Sequence, residues 1–129
     1  MKTVHTNNAP PAAGPYSQGV IANGFLFFAG QVGRNPKTLE LGKTIEEQTH
    51  QTIQNLKAVI EEAGGSLDDV VKTSIYLINV NENFAKVNEI YATYFTKKPV
   101  RTTVGVADLP KGTLAVSPLI EMDAIALIK

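Results

Sequence analysis

Runs of β-branched and aromatic residues alternate along the chain with two stretches whose apolar residues recur at helical spacing. Lys2–Thr6 is short and partly β-branched, as suits an edge strand, and Asn7–Gly14, rich in Pro, Ala and Asn, reads as loop. Gln18–Ala22 and Phe25–Ala29 flank Asn23-Gly24, a pair suited to the positive φ angles of a type I′ turn, so the segment predicts a β-hairpin. Asn35–Gly42 is a turn-rich loop. Thr44-Ile45-Glu46-Glu47 has the form of a capping box, in which a hydroxyl and a carboxylate satisfy free N–H groups at a helix start. Ile45, Thr49, Ile53, Leu56, Val59, Ile60 and Ala63 then form one helical stripe, ended by Gly64-Gly65. Val70–Ile78 carries β-branched residues on both faces, which predicts a central, covered strand. Asn81 can cap a second helix with Phe84, Val87, Tyr91 and Phe95 on one side. Arg101–Ala107 and Leu119–Ile128 close the chain as strands.

The expected fold class is therefore α+β, in the order β-β-β-α-β-α-β-β. Strand–helix–strand crossovers occur twice, so a mixed sheet with both helices on one face is the simplest packing. Phe25, Phe27 and Val104 are too apolar to leave the other face wet, which predicts an oligomer.

Composition narrows the function classes. At 129 residues, 43% hydrophobic and 19% charged, residues 1–129 make one ordinary globular domain. The formal net charge is zero, so nothing draws a phosphate backbone over long range and nucleic acid is an unlikely partner. There is no cysteine, which excludes disulfides, thiol catalysis and cysteine-bound zinc. The first 18 residues lack the apolar core of a signal peptide, and Phe25–Ala29 is too short to cross a bilayer. No membrane association and a cytoplasmic location are the default expectations.

Several residues are candidates for chemistry, each with a plainer reading beside it. Arg101 is one of only two arginines, the other being Arg34, and stands at the start of an apolar strand. Its planar fork of donors matches a carboxylate; the plainer reading is an ion pair at the surface or an interface. Glu121 and Asp123 point to one face of a strand, where they either divide acid and base work or form a solvated stripe. Tyr16, in Gly14-Pro15-Tyr16, either donates to a ligand or packs over the hairpin. Asn88 falls on the apolar side of the second helix as a structural bridge or a ligand contact. Gly30-Gln31 follows a strand directly and either lets a ligand approach the backbone or simply turns the chain. His5 and His50 have no metal-ligand spacing, and no phosphate loop, dinucleotide fingerprint or Ser–His–Asp arrangement is visible.

Taken in order, several segments resemble the RidA/YjgF family of reactive enamine/imine deaminases. They are Asn8-Ala9-Pro10, Gly14–Gly19, Asn23-Gly24, Ala29-Gly30-Gln31, Gln48–Gly64, Asp69–Thr73, Phe84–Asn88, Pro99–Val104 with Leu109-Pro110-Lys111, and Ile120–Ala126. The most specific is Pro99-Val100-Arg101-Thr102 followed by Leu109-Pro110-Lys111. The resemblance implies a chorismate-mutase-like fold and a homotrimer with sites in clefts between subunits. It implies that Arg101 binds the substrate carboxylate and Glu121 positions or activates a water, with Tyr16, Ala29, Gly30, Asn88 and Thr103 around the substrate. Ala29 stands where many deaminating members have serine, and Thr103 where cysteine is common. The chain is short between Phe95 and Arg101 and long between Lys111 and Glu121, where Ala115-Val116-Ser117-Pro118 resembles an insertion that reshapes the mouth of the cleft.

The implied reaction is hydrolysis of 2-imino acids, such as 2-iminobutanoate and 2-iminopropanoate, to 2-keto acids and ammonia, with no metal or cofactor. A regulatory trimer that binds keto acids with little catalysis is the competing expectation. RNA cleavage is the weakest, given the neutral charge and the lack of a histidine pair.

Overall fold

The computed structural model describes residues 1–128. Its strands are β1 (Lys2–Val4), β2 (Gly19–Ala22), β3 (Phe25–Phe28), β4 (Gln31–Val32), β5 (Val70–Leu77), β6 (Val100–Gly105) and β7 (Ile120–Leu127), and its helices α1 (Ile45–Glu62) and α2 (Val80–Tyr94). One sheet holds them all in the order β1-β2-β3-β7-β5-β6, with β4 also on β7. β5 and β6 run parallel across the α2 connection, while the other pairings are antiparallel. This is the expected α+β fold, a mixed sheet with both helices on one face, with one addition. β4 is two residues long, too short for any period to reveal it.

The hairpin forms as expected, with Asn23 at φ 54° and Gly24 at φ 81° in the turn. At the start of α1, Thr44 accepts from the Glu47 N–H at 3.1 Å, while the Glu47 carboxylate accepts from the Lys43 N–H rather than from the cap itself. The second helix corrects the sequence reading. Asn81 does not cap it; the chain enters through Asn79 in the left-handed region (φ 49°), and Asn81 lies exposed in the first turn. Asn83 instead reaches back, donating to the Ile78 carbonyl at 2.8 Å. Val87, Tyr91 and Phe95 are buried as predicted, but Phe84 is 38% exposed.

Strand parity sorts the sheet into two faces. Leu26, Phe28, Ile75, Leu77, Ile120, Met122, Ala124 and Ala126 face the helices and are buried against Ile53, Leu56, Val59 and Ile60 of α1. Burying one such side chain contributes about 1.5–3 kcal/mol. The opposite face is open. Phe25 pairs with Leu127 and Phe27 with Ile125 there, and Phe25, Phe27, Val104 and Leu127 are each more than a third exposed.

Candidate functional site

The resemblance implies that Arg101 and Glu121 serve one site in a cleft between subunits; within a single chain the strand register separates them. Arg101 pairs with Thr73, and Thr73 faces the helices, fully buried and hydrogen-bonded to the Tyr91 hydroxyl at 2.7 Å. Glu121 pairs with Tyr76, three residues along β5 and therefore on the open face. Each lines its own groove. The groove of Arg101 also holds Asn88, Tyr91 and Phe95; that of Glu121 holds Tyr16, Ala29, Gly30 and Arg34.

On the helix side, the Arg101 guanidinium carbon lies 4.8 Å from the centroid of the Tyr91 ring and 5.6 Å from that of Phe84. The rings attract the cation and hold it in place without using its N–H donors. This explains why Phe84 is not sunk into the core. Tyr91 is itself held by stacking on Phe95 at 4.4 Å and by its bond to Thr73. Burial, above all, raises the Tyr91 pKa, so the ring stays neutral beneath the cation. No hydrogen bond or ion pair involves the Arg101 guanidinium among the described residues, so the ion-pair reading has no partner within the chain. Asn88 is half-buried beside it in the same groove. Thr103 lies two residues further along the same face, with its hydroxyl buried and unpaired.

On the open side, β3 and β4 both pair with β7 but are separated by Ala29-Gly30. The Glu121 side chain fills that break. A Cβ on Gly30 would fall on the Glu121 carboxylate and lie 2.9 Å from its Cδ. The glycine therefore serves the close approach of a side chain, where the sequence suggested room for a ligand. Burial first, and then the charge of Asp123, raise the Glu121 pKa above its ordinary 4.5. Asp123 differs from it, because Tyr76 donates to its carboxylate at 3.1 Å. The paired carboxylates are thus unequal, one hydrogen-bonded and one free among the described residues.

Tyr16 sits at the rim of this groove, 52% exposed, its hydroxyl accepting from the Ala13 N–H at 3.2 Å. The opposite wall is residues 110–114. Ala115–Pro118, expected to reshape the mouth, lies outside the lining, and Pro118 is buried. The groove has a volume of about 530 Å³.

Sequence reasoning missed the amides that hold these walls. Gln18 is buried, accepts from the Thr6 N–H at 2.7 Å and donates to the carbonyls of Thr6, Ala9 and Pro10. Asn55 donates to the carbonyls of Val32 and Arg34, and Gln48 bridges Gly42 to Leu119. For Gln48 and Asn55 the available signal was an amide on an otherwise apolar helical stripe. His50 bonds the Tyr94 hydroxyl at 2.8 Å and ties the two helices together. Among the described residues no three His, Cys, Asp or Glu side chains cluster as a metal site, and no helix is long and apolar enough to cross a membrane.

Comparison with known proteins identifies the family. The family model described as Endoribonuclease L-PSP matches residues 6–128. A RutC family protein of Pyrococcus horikoshii is 49% identical over 127 residues, 97% of this chain and 96% of its own length. The 2-iminobutanoate/2-iminopropanoate deaminase of Escherichia coli K12 is 41% identical over 130 residues, 98% of this chain and 97% of its own. The crystal structure of Escherichia coli TdcF with bound serine superposes with a TM-score of 0.90 at 34% identity, covering all of both chains. A match over nearly the whole chain, in sequence and in fold, makes this protein a member of the RidA/YjgF (L-PSP) family.

Proposed function

We propose that the protein is a hydrolytic deaminase of small 2-imino acids, working at a site shared between two copies of the chain. The observation that carries this reading is the Arg101 guanidinium, held against two aromatic rings with its donor fork unclaimed among the described residues. Such a fork binds a carboxylate in bidentate fashion. The deaminase name of a relative at 41% identity and the serine bound in TdcF support a small amino-acid-derived ligand.

In this mechanism Arg101 fixes the carboxylate, and Glu121 of a neighbouring copy holds a water against the C=N carbon. Water adds to carbon, and its first proton passes to Glu121 and on to nitrogen, giving a carbinolamine. Glu121 then takes the hydroxyl proton and returns it to the amino nitrogen, the C–N bond breaks, ammonia leaves with the bonding pair, and a C=O remains. The raised Glu121 pKa makes it a stronger base than an ordinary carboxylate. An acid/base group of this kind contributes ~10²–10⁴-fold. The open apolar face supports the shared site, because it needs cover and Glu121 lies on it.

Two measurements test this. Imine generated by a dehydratase from threonine is trapped by semicarbazide, and the purified protein should reduce the trapping; no reduction rejects deamination. If 2-ketobutyrate still binds, the regulatory reading takes its place. Arg101→Ala and Glu121→Ala should each be inactive alone. Co-expressed in equal amounts, they should recover about a quarter of parental activity, because a closed ring of shared interfaces restores both residues at that frequency. No recovery places the site within one chain.

A further inference from the structure

Arg34, the chain's other arginine, lines the same groove as Glu121, Gly30 and Tyr16. No feature of the reaction above uses it. Its setting is built as closely as that of Arg101. Its N–H donates to the Val32 carbonyl at 2.8 Å, its carbonyl accepts from the buried Asn55 amide at 2.9 Å, and it bridges to Leu41 across the loop. The side chain is fixed as well, since Nε donates to the Leu39 carbonyl at 2.8 Å. Leu39 holds the left-handed conformation (φ 62°) and is itself anchored by its N–H to the Asn35 carbonyl. The backbone bond therefore takes one of the guanidinium's five donors and orients the plane. The terminal amino groups meet no carboxylate among the described residues. Arg34 is partly exposed as a residue, and its side-chain bond to Leu39 lies at the surface, open to a ligand. Besides Glu121, the one other charged residue lining the groove is Lys111, a flexible and exposed cation at its opposite wall.

A guanidinium oriented by one backbone bond, on a residue that lines the groove holding Glu121, has donors to offer a second anionic group on the ligand. We propose that Arg34 is a specificity determinant that reads a distal carboxylate, so that the site prefers dicarboxylic 2-imino and 2-keto acids over their monocarboxylic counterparts. This deepens the deaminase reading and rests on the same site. The α-carboxylate goes to Arg101 and the side-chain carboxylate to Arg34, at opposite ends of the ligand, with Glu121 between them.

The test measures binding of stable keto acids, which does not depend on turnover. By calorimetry, 2-ketoglutarate should bind about tenfold or more tighter than 2-ketobutyrate, the range expected for a hydrogen bond to a charged group. Arg34→Gln should remove most of that ratio, while Lys111→Ala should keep it. Equal affinities in the parent, or a preference that survives Arg34→Gln in a variant with parental melting temperature, overturns the assignment. So does failure of 2-ketoglutarate to bind at millimolar concentration. The semicarbazide assay with a monocarboxylic imine decides separately on deamination. Protection without a dicarboxylate preference rejects the role of Arg34 alone; a dicarboxylate preference in binding without protection rejects deamination alone.

Discussion

Replacing Gly30 by alanine separates geometry from stability at the Glu121 groove. The added Cβ would overlap the Glu121 carboxylate, with Cδ at 2.9 Å and Cγ at 3.1 Å. Carbon atoms in contact prefer about 3.5–4.0 Å, so the carboxylate has to move by roughly 0.5–1 Å. Gly30 is not among the positive-φ positions, so alanine adopts its backbone without strain. The displaced group is the end of a half-buried side chain with no hydrogen bond to break, so the overpacking cost lies at or below the low end of about 1–3 kcal/mol. Loss of glycine's freedom in the unfolded chain offsets about 0.4–1 kcal/mol of it. The melting temperature should therefore change little. Activity should not be spared, since a misplacement of about 1 Å in a reacting group costs on the order of 10²-fold. Steady-state kcat/KM in the trapping assay and calorimetric melting give the two readings. Parental kcat/KM at parental stability would show that the position of the Glu121 carboxylate is immaterial to turnover. A large drop in melting temperature would show that Glu121 is rigidly held, against the reasoning above.

Three further outcomes follow from the contacts described. Arg101→Lys keeps the charge but loses the planar fork, so 2-ketobutyrate binding by calorimetry should weaken about tenfold or more, with little change in melting temperature. Because the Glu121 pKa is raised in the folded state, its contribution to stability is greatest below the ordinary 4.5 and is lost as pH rises through the folded value. Glu121→Gln should therefore melt higher than the parent at neutral pH, with the difference vanishing below the ordinary 4.5; a constant difference would contradict the shift. Gln18→Ala strips partners from the Thr6 N–H and from three carbonyls, and urea titration should show a loss of about 2–4 kcal/mol, as buried polar groups left unpaired cost about 1–3 kcal/mol each and the exposed ones re-solvate.

The elements with a strong local cause were legible in the sequence. Asn23-Gly24 supplies the left-handed angles that the hairpin turn requires, and the stripe from Ile45 to Ile60 is long enough for one period to dominate. What escaped has its cause elsewhere in the fold. β4 exists because β7 offers it hydrogen bonds, and α2 starts at Asn79 because the chain turns there out of β5, not because of a capping side chain. Phe84 obeys the helical period yet stays at the surface, since Arg101 takes the place of an apolar partner. The Gln18 amide could not be read as a hub, because its partners lie up to 12 residues away in a loop without periodicity.

The division of the candidate site is of the same kind. Within one strand parity is readable, and Glu121 and Asp123 do share a face. Between strands parity depends on register, which nothing near Arg101 specifies. Thr73 decides it: its hydroxyl meets Tyr91 inside the core, so its neighbour Arg101 also turns toward α2, and a slip of one residue would turn Arg101 to the open face beside Glu121. β6 is at the sheet edge, with Val100 66% exposed beside Arg101, while Glu121 belongs to the apolar face that lacks cover. An edge that presents a free guanidinium and a face that presents a free carboxylate are complementary surfaces. In the assembly we propose, a second copy would cover the open face with its edge strand and join the two half-sites, so that one requirement, covering Phe25, Phe27 and Leu127, would account for both the assembly and its chemistry.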